Sequence, residues 1–278
     1  MVTLKQRPTT TQTNIAQTEK EEKLAGAPTE LVTFFGMAYL ITWIIVGLKI
    51  FTDIKIPGFF ALAGPTIAAL VVIGFSSGLT GYRELGKRLI RLRFGLKWYA
   101  LALLITPAIS LTAYIMGKTF NLGDIPAESD LVLVLPMLLG NFALFFFTEE
   151  IGWRGYALPK LQKMFNPLVS SLVLGILWGL WHLPYWFVPG SFQAGLPFAG
   201  FMLLTVSQAV LMTWLYNNSR DSVLLAVLFH AAADTAFAFS GVLSGPQTLF
   251  WLVVGLQWLV TLGVIAYTKG GLHIRAAR

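Results

Sequence analysis

Six ionisable side chains stand out because they lie in or beside long apolar runs: Glu149, Glu150, Arg154, His182, His230 and Asp234. Such groups are costly in hydrocarbon and are candidates for function by default. A buried carboxylate can take a proton from water, and an adjacent imidazole can orient that water. A second imidazole and a polar neighbour can donate to an oxyanion as it develops. Glu149, His182, His230 and Asp234 supply this set. Glu150 and Arg154 are four residues apart and are expected to pair and fix their own helix. The chemistry this allows is hydrolysis of an amide by activated water, without a covalent intermediate. The chain has no cysteine and no serine in a GxSxG elbow, so nothing supports a covalent nucleophile. Disulfides and thiolate metal sites are likewise excluded.

The elements that must position these groups are membrane helices. Of 278 residues, 56% are hydrophobic and only 12% charged, roughly half the charge of a soluble domain. That excludes a soluble globular protein, a disordered chain and a nucleic-acid binder built on a basic face. The expected fold class is all-α, a polytopic membrane bundle of about eight transmembrane helices. The apolar segments run over Leu31–Phe51, Gly58–Ser76, Trp98–Gly117, Leu131–Thr148, Pro167–Val188, Pro197–Tyr216, Ser222–Gly241 and Gln247–Thr268. Each is near the length that crosses ~30 Å of hydrocarbon as a helix, and none alternates as a barrel strand would. No internal repeat supports an inverted-repeat transporter. Residues 1–30 are polar and read as a disordered cytoplasmic tail. The bundle occupies 31–268, with the site at about 130–240, and 269–278 forms a short basic tail. No signal peptide opens the chain, so the first run is expected to stay as an anchor.

Alternating the segments across the membrane puts 17 Lys and Arg on one side and 3 on the other. The positive-inside bias then places both termini in the cytoplasm. The expected location is a prokaryotic plasma membrane. The stretch RELGKRLIRLRFGLKW carries Leu85, Leu89, Leu92 and Leu96 at helical spacing opposite Lys87 and Arg91. It reads as an amphipathic helix on the cytoplasmic interface among anionic lipids, or as a basic loop that only sets topology.

Depth and phase are compatible with one site. From Lys160, Glu149 lies about 16 Å into the membrane; from Ser222, His230 and Asp234 lie about 12 and 18 Å deep; from Pro167, His182 lies about 22 Å deep. His230 and Asp234 share a helix face, as do Trp178 and His182, while Glu149 is turned by about 100° from Glu150. Pro184 is expected to kink the helix after His182. Gly175 and Gly179 are expected to admit another helix closely.

Three patterns recur in order on three helices: Glu149-Glu150-x-x-x-Arg154, Trp178-x-x-x-His182 followed by Leu-Pro, and His230-x-x-x-Asp234. Together they resemble the motifs of the CAAX-processing and bacteriocin-processing (CPBP, or Abi) family. That family comprises intramembrane glutamic endopeptidases and includes the type II CAAX prenyl proteases. The resemblance covers roughly residues 130 to 240. It implies a helical bundle with a cavity open to cytosol and lipid. It also implies Glu149 as the base on water assisted by His182, with His230 and position 234 stabilising the oxyanion. Two positions depart from the pattern: Trp178 stands where Phe is frequent, and Asp234 where Asn is frequent. An ionised Asp234 repels an oxyanion, so it either acts protonated or orients His230.

The expected partners are membrane lipids and a membrane-associated peptide or protein substrate, with no nucleic acid. No cofactor motif is present, and water is the expected co-reactant. Two rival readings are a zinc protease using His182, His230 and a carboxylate, and a non-catalytic scaffold or bacteriocin-immunity protein. The zinc reading lacks an HExxH motif and sets Arg154 beside a dication.

Overall fold

The computed structural model describes residues 10–52, 54–125 and 130–273, with side chains from residue 28 onward. Among the described residues there is helix and no strand. In order these are α1 (Thr10–Phe51), α2 (Gly58–Leu62), α3 (Gly64–Ser76), α4 (Gly78–Leu89), α5 (Leu96–Thr119), α6 (Val134–Phe145), a π-helix (Phe146–Ala157) and α7 (Leu158–Met164). There follow α8 (Pro167–Trp181), a 3₁₀ segment (Leu183–Phe187), α9 (Phe198–Asn218), α10 (Val223–Ser240) and α11 (Gln247–Thr268). Seven stretches are long and apolar enough to cross a membrane, and Gly64–Ser76 is a shorter apolar helix. The chain is thus a multi-pass, all-helical membrane protein, as composition and hydropathy require.

Three elements differ from the sequence expectation. The second apolar segment divides at Ala63, where Gly64 and Pro65 restart the helix; proline has no N–H to continue the ladder. The resulting α3 is 13 residues long, about 20 Å. The amphipathic helix ends at Leu89, so Leu92 and Leu96 do not extend its stripe and are exposed. The backbone there turns to the connection between α9 and α10: the Arg91 carbonyl accepts from Ser222 Oγ at 2.7 Å, and the Arg91 guanidinium donates to the Arg220 carbonyl. Finally, α1 is traced from Thr10, while its apolar part is Pro28–Phe51. Most of the tail assigned to 1–30, and the last five residues of the basic tail, lie outside the described side chains.

The most buried helix is α9, which packs against α8, α10 and α11. Its contact with α8 is made at the two glycines flagged by sequence. A Cβ on Gly175 would stand 2.8 Å from Val206 Cα, and one on Gly179 would stand 2.6 Å from Met202 Sδ and Thr205 Oγ1. In lipid, where apolar surface gives no preference for helix over acyl chain, such close approach is what holds helices together. Helix α1 closes the other side of α8, with the Tyr39 hydroxyl donating to the Leu177 carbonyl at 2.5 Å and Trp43 Nε1 to the Trp181 carbonyl at 3.1 Å. An aromatic column of Phe34, Trp153 and Trp181 runs between α1, the π-helix and α8, with edge-on ring contacts of 5.5 and 5.7 Å.

Candidate active site

Glu149, Glu150 and Arg154 all lie on the π-helix. Its register shows at its end, where the Leu158 N–H reaches the Trp153 carbonyl five residues back. A π-helix of twelve residues is unusual, since such turns occur mostly as single bulges and frequently at functional sites. Every residue from Thr148 to Ala157 is buried. Packing accounts for part of this: Gly152 lies against Pro65, where a Cβ would be 2.5 Å from the Pro65 carbonyl. Arg88 of α4 donates to the Gly155 carbonyl at 3.0 Å, taking one acceptor outside the helix ladder.

The two adjacent glutamates meet different partners. Glu150 Oε1 accepts from Arg154 Nη1 at 2.8 Å and from His230 Nδ1 at 2.9 Å. Both Glu150 and Arg154 are wholly buried. The expected pair is present, and it also holds His230. Glu149 Oε2 accepts from Trp178 Nε1 at 2.8 Å, while Oε1 has no hydrogen-bond partner among the described residues.

His182 caps α8 rather than sitting within it. Pro184 does not kink a continuing α-helix; the chain tightens into the 3₁₀ segment instead. His182 Nδ1 is 2.9 Å from the Trp178 carbonyl, which can only accept, so Nδ1 carries the proton and Nε2 is left for other partners. His230 is held in the same way: its Nδ1 donates to Glu150, and Phe145 stacks on its ring at 3.8 Å and 5°. Each imidazole therefore has one nitrogen fixed to the protein and the other unengaged, and the fixed bond sets the tautomer.

Trp178 joins these groups. Its indole donates to Glu149, its ring meets His230 at 5.1 Å and His182 at 5.9 Å, and the Arg154 guanidinium lies over it at 4.4 Å. Sequence placed it only on the same helix face as His182; the structure makes it the hub. The signal available was its four-residue spacing from His182.

Asp234 is half-buried on α10 and forms no side-chain hydrogen bond among the described residues. It makes no hydrogen bond to His230, whose Nδ1 is bonded to Glu150 instead. Asp234, His182, His230, Trp178 and Gln208 line a cavity of about 80 Å³, large enough for a few waters. Two residues missed from sequence border this region. Gln208 escaped notice because an amide is not ionisable. Tyr185 lies on the 3₁₀ turn three residues after His182 and carries a buried hydroxyl without a partner. A larger cavity of about 430 Å³ lies between α5, α6 and α10, has an apolar lining and contains none of the six ionisable residues. Among the described residues, no three His, Asp or Glu side chains are grouped so as to hold a metal ion.

What the arrangement can do is limited by these contacts. Two imidazole nitrogens and the Asp234 carboxylate are left uncommitted on a small cavity of mixed polar and apolar lining, and Glu149 Oε1, also uncommitted, belongs to a residue outside that lining that is bonded to its Trp178 wall. This is a set of groups able to bind water and move its protons.

Comparison with known proteins gives two matches. Residues 131–236 match the family model described as type II CAAX prenyl endopeptidase Rce1-like. The chain is also 29% identical over 238 residues to CAAX prenyl protease 2 of Methanococcus maripaludis, covering 79% of this chain and 83% of that protein. The resemblance read from the three motifs is therefore borne out. Residues 131–236, which hold all six of the ionisable side chains of the site, are the part of the chain that is similar to the Rce1-like type II CAAX prenyl endopeptidase model.

Proposed function

We propose that the chain is an intramembrane endopeptidase of the glutamic type that cleaves a membrane-associated substrate, in the first instance a prenylated CAAX-type C-terminus. The observation that carries this reading is the meeting of three separate helical segments on Trp178, with Glu149, His182 and His230 brought together inside the matched stretch. The substrate class follows from the relative's name, CAAX prenyl protease 2.

In this reading Glu149 takes a proton from a water held with His182 Nε2, and the resulting hydroxide attacks the scissile carbonyl carbon. The carbonyl oxygen becomes an oxyanion facing position 234 and His230, which donates from Nε2 as an imidazolium while Nδ1 stays bonded to Glu150. Glu149 then passes its proton to the leaving amide nitrogen, and the C–N bond breaks. Glu150 and Arg154 stay out of the proton traffic: Glu150 is a positioning residue for His230, and Arg154 neutralises it. Both termini lie in the cytoplasm, on the side that carries most of the Lys and Arg.

The test is cleavage of a quenched fluorogenic peptide ending in a farnesylated Cys-aliphatic-aliphatic-X sequence by the purified full chain in detergent or liposomes. Wild type cleaves it and Glu149→Gln does not, while both variants unfold at the same temperature. Full activity in Glu149→Gln removes the glutamate as base.

A further inference from the structure

Three polar side chains that no motif claims line the cavity beside His182 and His230: Thr205, whose hydroxyl is spent on the Met202 carbonyl, Gln193 on the more exposed 183–197 connection, and Gln208, the only buried amide of the three. Gln208 lies midway along α9, the most buried helix of the bundle, and is 5% exposed. It lines the cavity together with His182, His230 and Asp234. Among the described residues its amide side chain makes no hydrogen bond, although nearby polar groups on α9 are satisfied locally or by α11: Thr205 donates to the Met202 carbonyl, Thr213 to the Ala209 carbonyl, and Ser207 pairs with Thr261. A primary amide with no partner inside a membrane protein is expensive to keep. Its orientation into a polar cavity gives it a use.

The cavity is short of donors. His182 and His230 have each committed the Nδ1 proton, to the Trp178 carbonyl and to Glu150. When these rings are neutral, their Nε2 atoms accept and do not donate. An ionised Asp234 only accepts. Trp178 Nε1, a donor in every state, is spent on Glu149. The Gln208 NH₂ group is a donor in every protonation state and is not spent.

We infer that Gln208 is a further hydrogen-bond donor of the reaction centre, whose amide NH₂ binds the substrate's scissile carbonyl oxygen and holds it as negative charge develops there. No proton is transferred; the N–H···O bond shortens and strengthens as the carbonyl becomes an oxyanion. This rests on the proteolytic reading above and assigns to α9 a part in a site otherwise built from the π-helix, α8 and α10.

The experiment uses the same farnesylated fluorogenic peptide and the full chain. Gln208→Met keeps length and volume and removes both N–H donors. The expected result is a fall in kcat of about a hundredfold or more, the usual cost of losing one oxyanion donor, with KM little changed. Wild-type kcat in Gln208→Met overturns the inference, and so does a rise in KM at unchanged kcat, which would mean ground-state binding only. Gln208→Glu guards against misfolding of the methionine variant. A glutamate donates only when protonated, so its activity relative to wild type should be low at neutral pH and rise as pH falls. A loss that pH does not relieve, or no loss at any pH, overturns the inference. Inactive Glu149→Gln with fully active Gln208→Met sinks the donor and leaves the protease standing. Equal activity in Glu149→Gln and wild type sinks the underlying reading.

Discussion

Glu149 and Glu150 are neighbours in sequence and opposites in environment. Glu150 is enclosed: it bonds to Arg154 and His230 at 2.8 and 2.9 Å, and it is wholly buried. Glu149 has one donor, the Trp178 indole; among the described residues each glutamate leaves one oxygen without a partner, Glu149 Oε1 and Glu150 Oε2, so the two differ in what holds the other oxygen. A carboxylate held by two charge-assisted bonds is fixed as an anion and makes a poor proton carrier, whereas one with a single indole donor can still exchange a proton with water. Adjacent residues on one helix thus reach two states because they point to different sides of the π-helix. One side meets the Arg154 guanidinium and the His230 imidazole, and the other meets the Trp178 indole.

The sharpest way to break this contrast is to neutralise each carboxyl in turn. Glu149→Gln should lower cleavage of the farnesylated peptide by about a thousandfold or more, at the upper range for loss of a general base, with no loss of thermal stability. Glu150→Ala should instead unfold the protein early. It strands a fully buried guanidinium, a change that costs about 3–5 kcal/mol. Thermal unfolding in detergent separates the two. If Glu150→Ala keeps wild-type stability, the enclosed pair is not structural. The double variant Glu150→Leu/Arg154→Met removes both charges and should recover much of the lost stability, because replacing a buried pair with matched apolar volume is often neutral. Its activity should stay low, since Glu150 no longer holds His230. Recovery of activity along with stability would reduce Glu150 to a counter-ion.

A smaller effect is expected where the two environments touch. Trp178→Phe removes the indole N–H from Glu149 and weakens the cation–π contact with Arg154. A hydrogen bond to a charged group is worth about 1.5–3 kcal/mol, so kcat should fall about 10- to 100-fold. The ring contacts with His182 and His230 are largely kept by Phe, so the fold should survive. Unchanged kcat would make the indole a packing residue only.

The sequence made the helical bundle readable because hydrocarbon leaves so few options: apolar runs of about twenty residues must be helices. It also made the six ionisable residues readable, since each stands out against an uncharged background. The i,i+4 pairing of Glu150 with Arg154 and the close α8–α9 packing at Gly175 and Gly179 followed from spacing alone. Three things did not follow. The π-helix packs Gly152 against Pro65, eighty-odd residues upstream, and residue spacing along one helix reports neither its register nor that contact. The bond from His230 to Glu150 joins α10 to the π-helix, a distance of 80 positions; sequence suggested Asp234 for that task because it is close along the chain. Gln208 was invisible to a survey of charge.

The least disruptive expected change is at Asp234, and it tests what the open side of the site needs. Among the described residues Asp234 has no hydrogen-bond partner, and it shares its cavity with both imidazoles and Gln208. As an ionised carboxylate it would repel an oxyanion forming there, so it can help only by donating, and a carboxyl donates only when protonated. Asparagine has the same shape and donates at every pH. Asp234→Asn should therefore keep activity within about threefold of wild type, a difference of less than 1 kcal/mol. Asp234→Ala should lose most of it, because it removes the donor at that position and leaves the oxyanion to Gln208 and His230. If Asn fails as badly as Ala, the carboxylate itself is required. Asp234 would then be a second proton carrier, and the open side of the site would use two acids where the enclosed side uses an acid and a base.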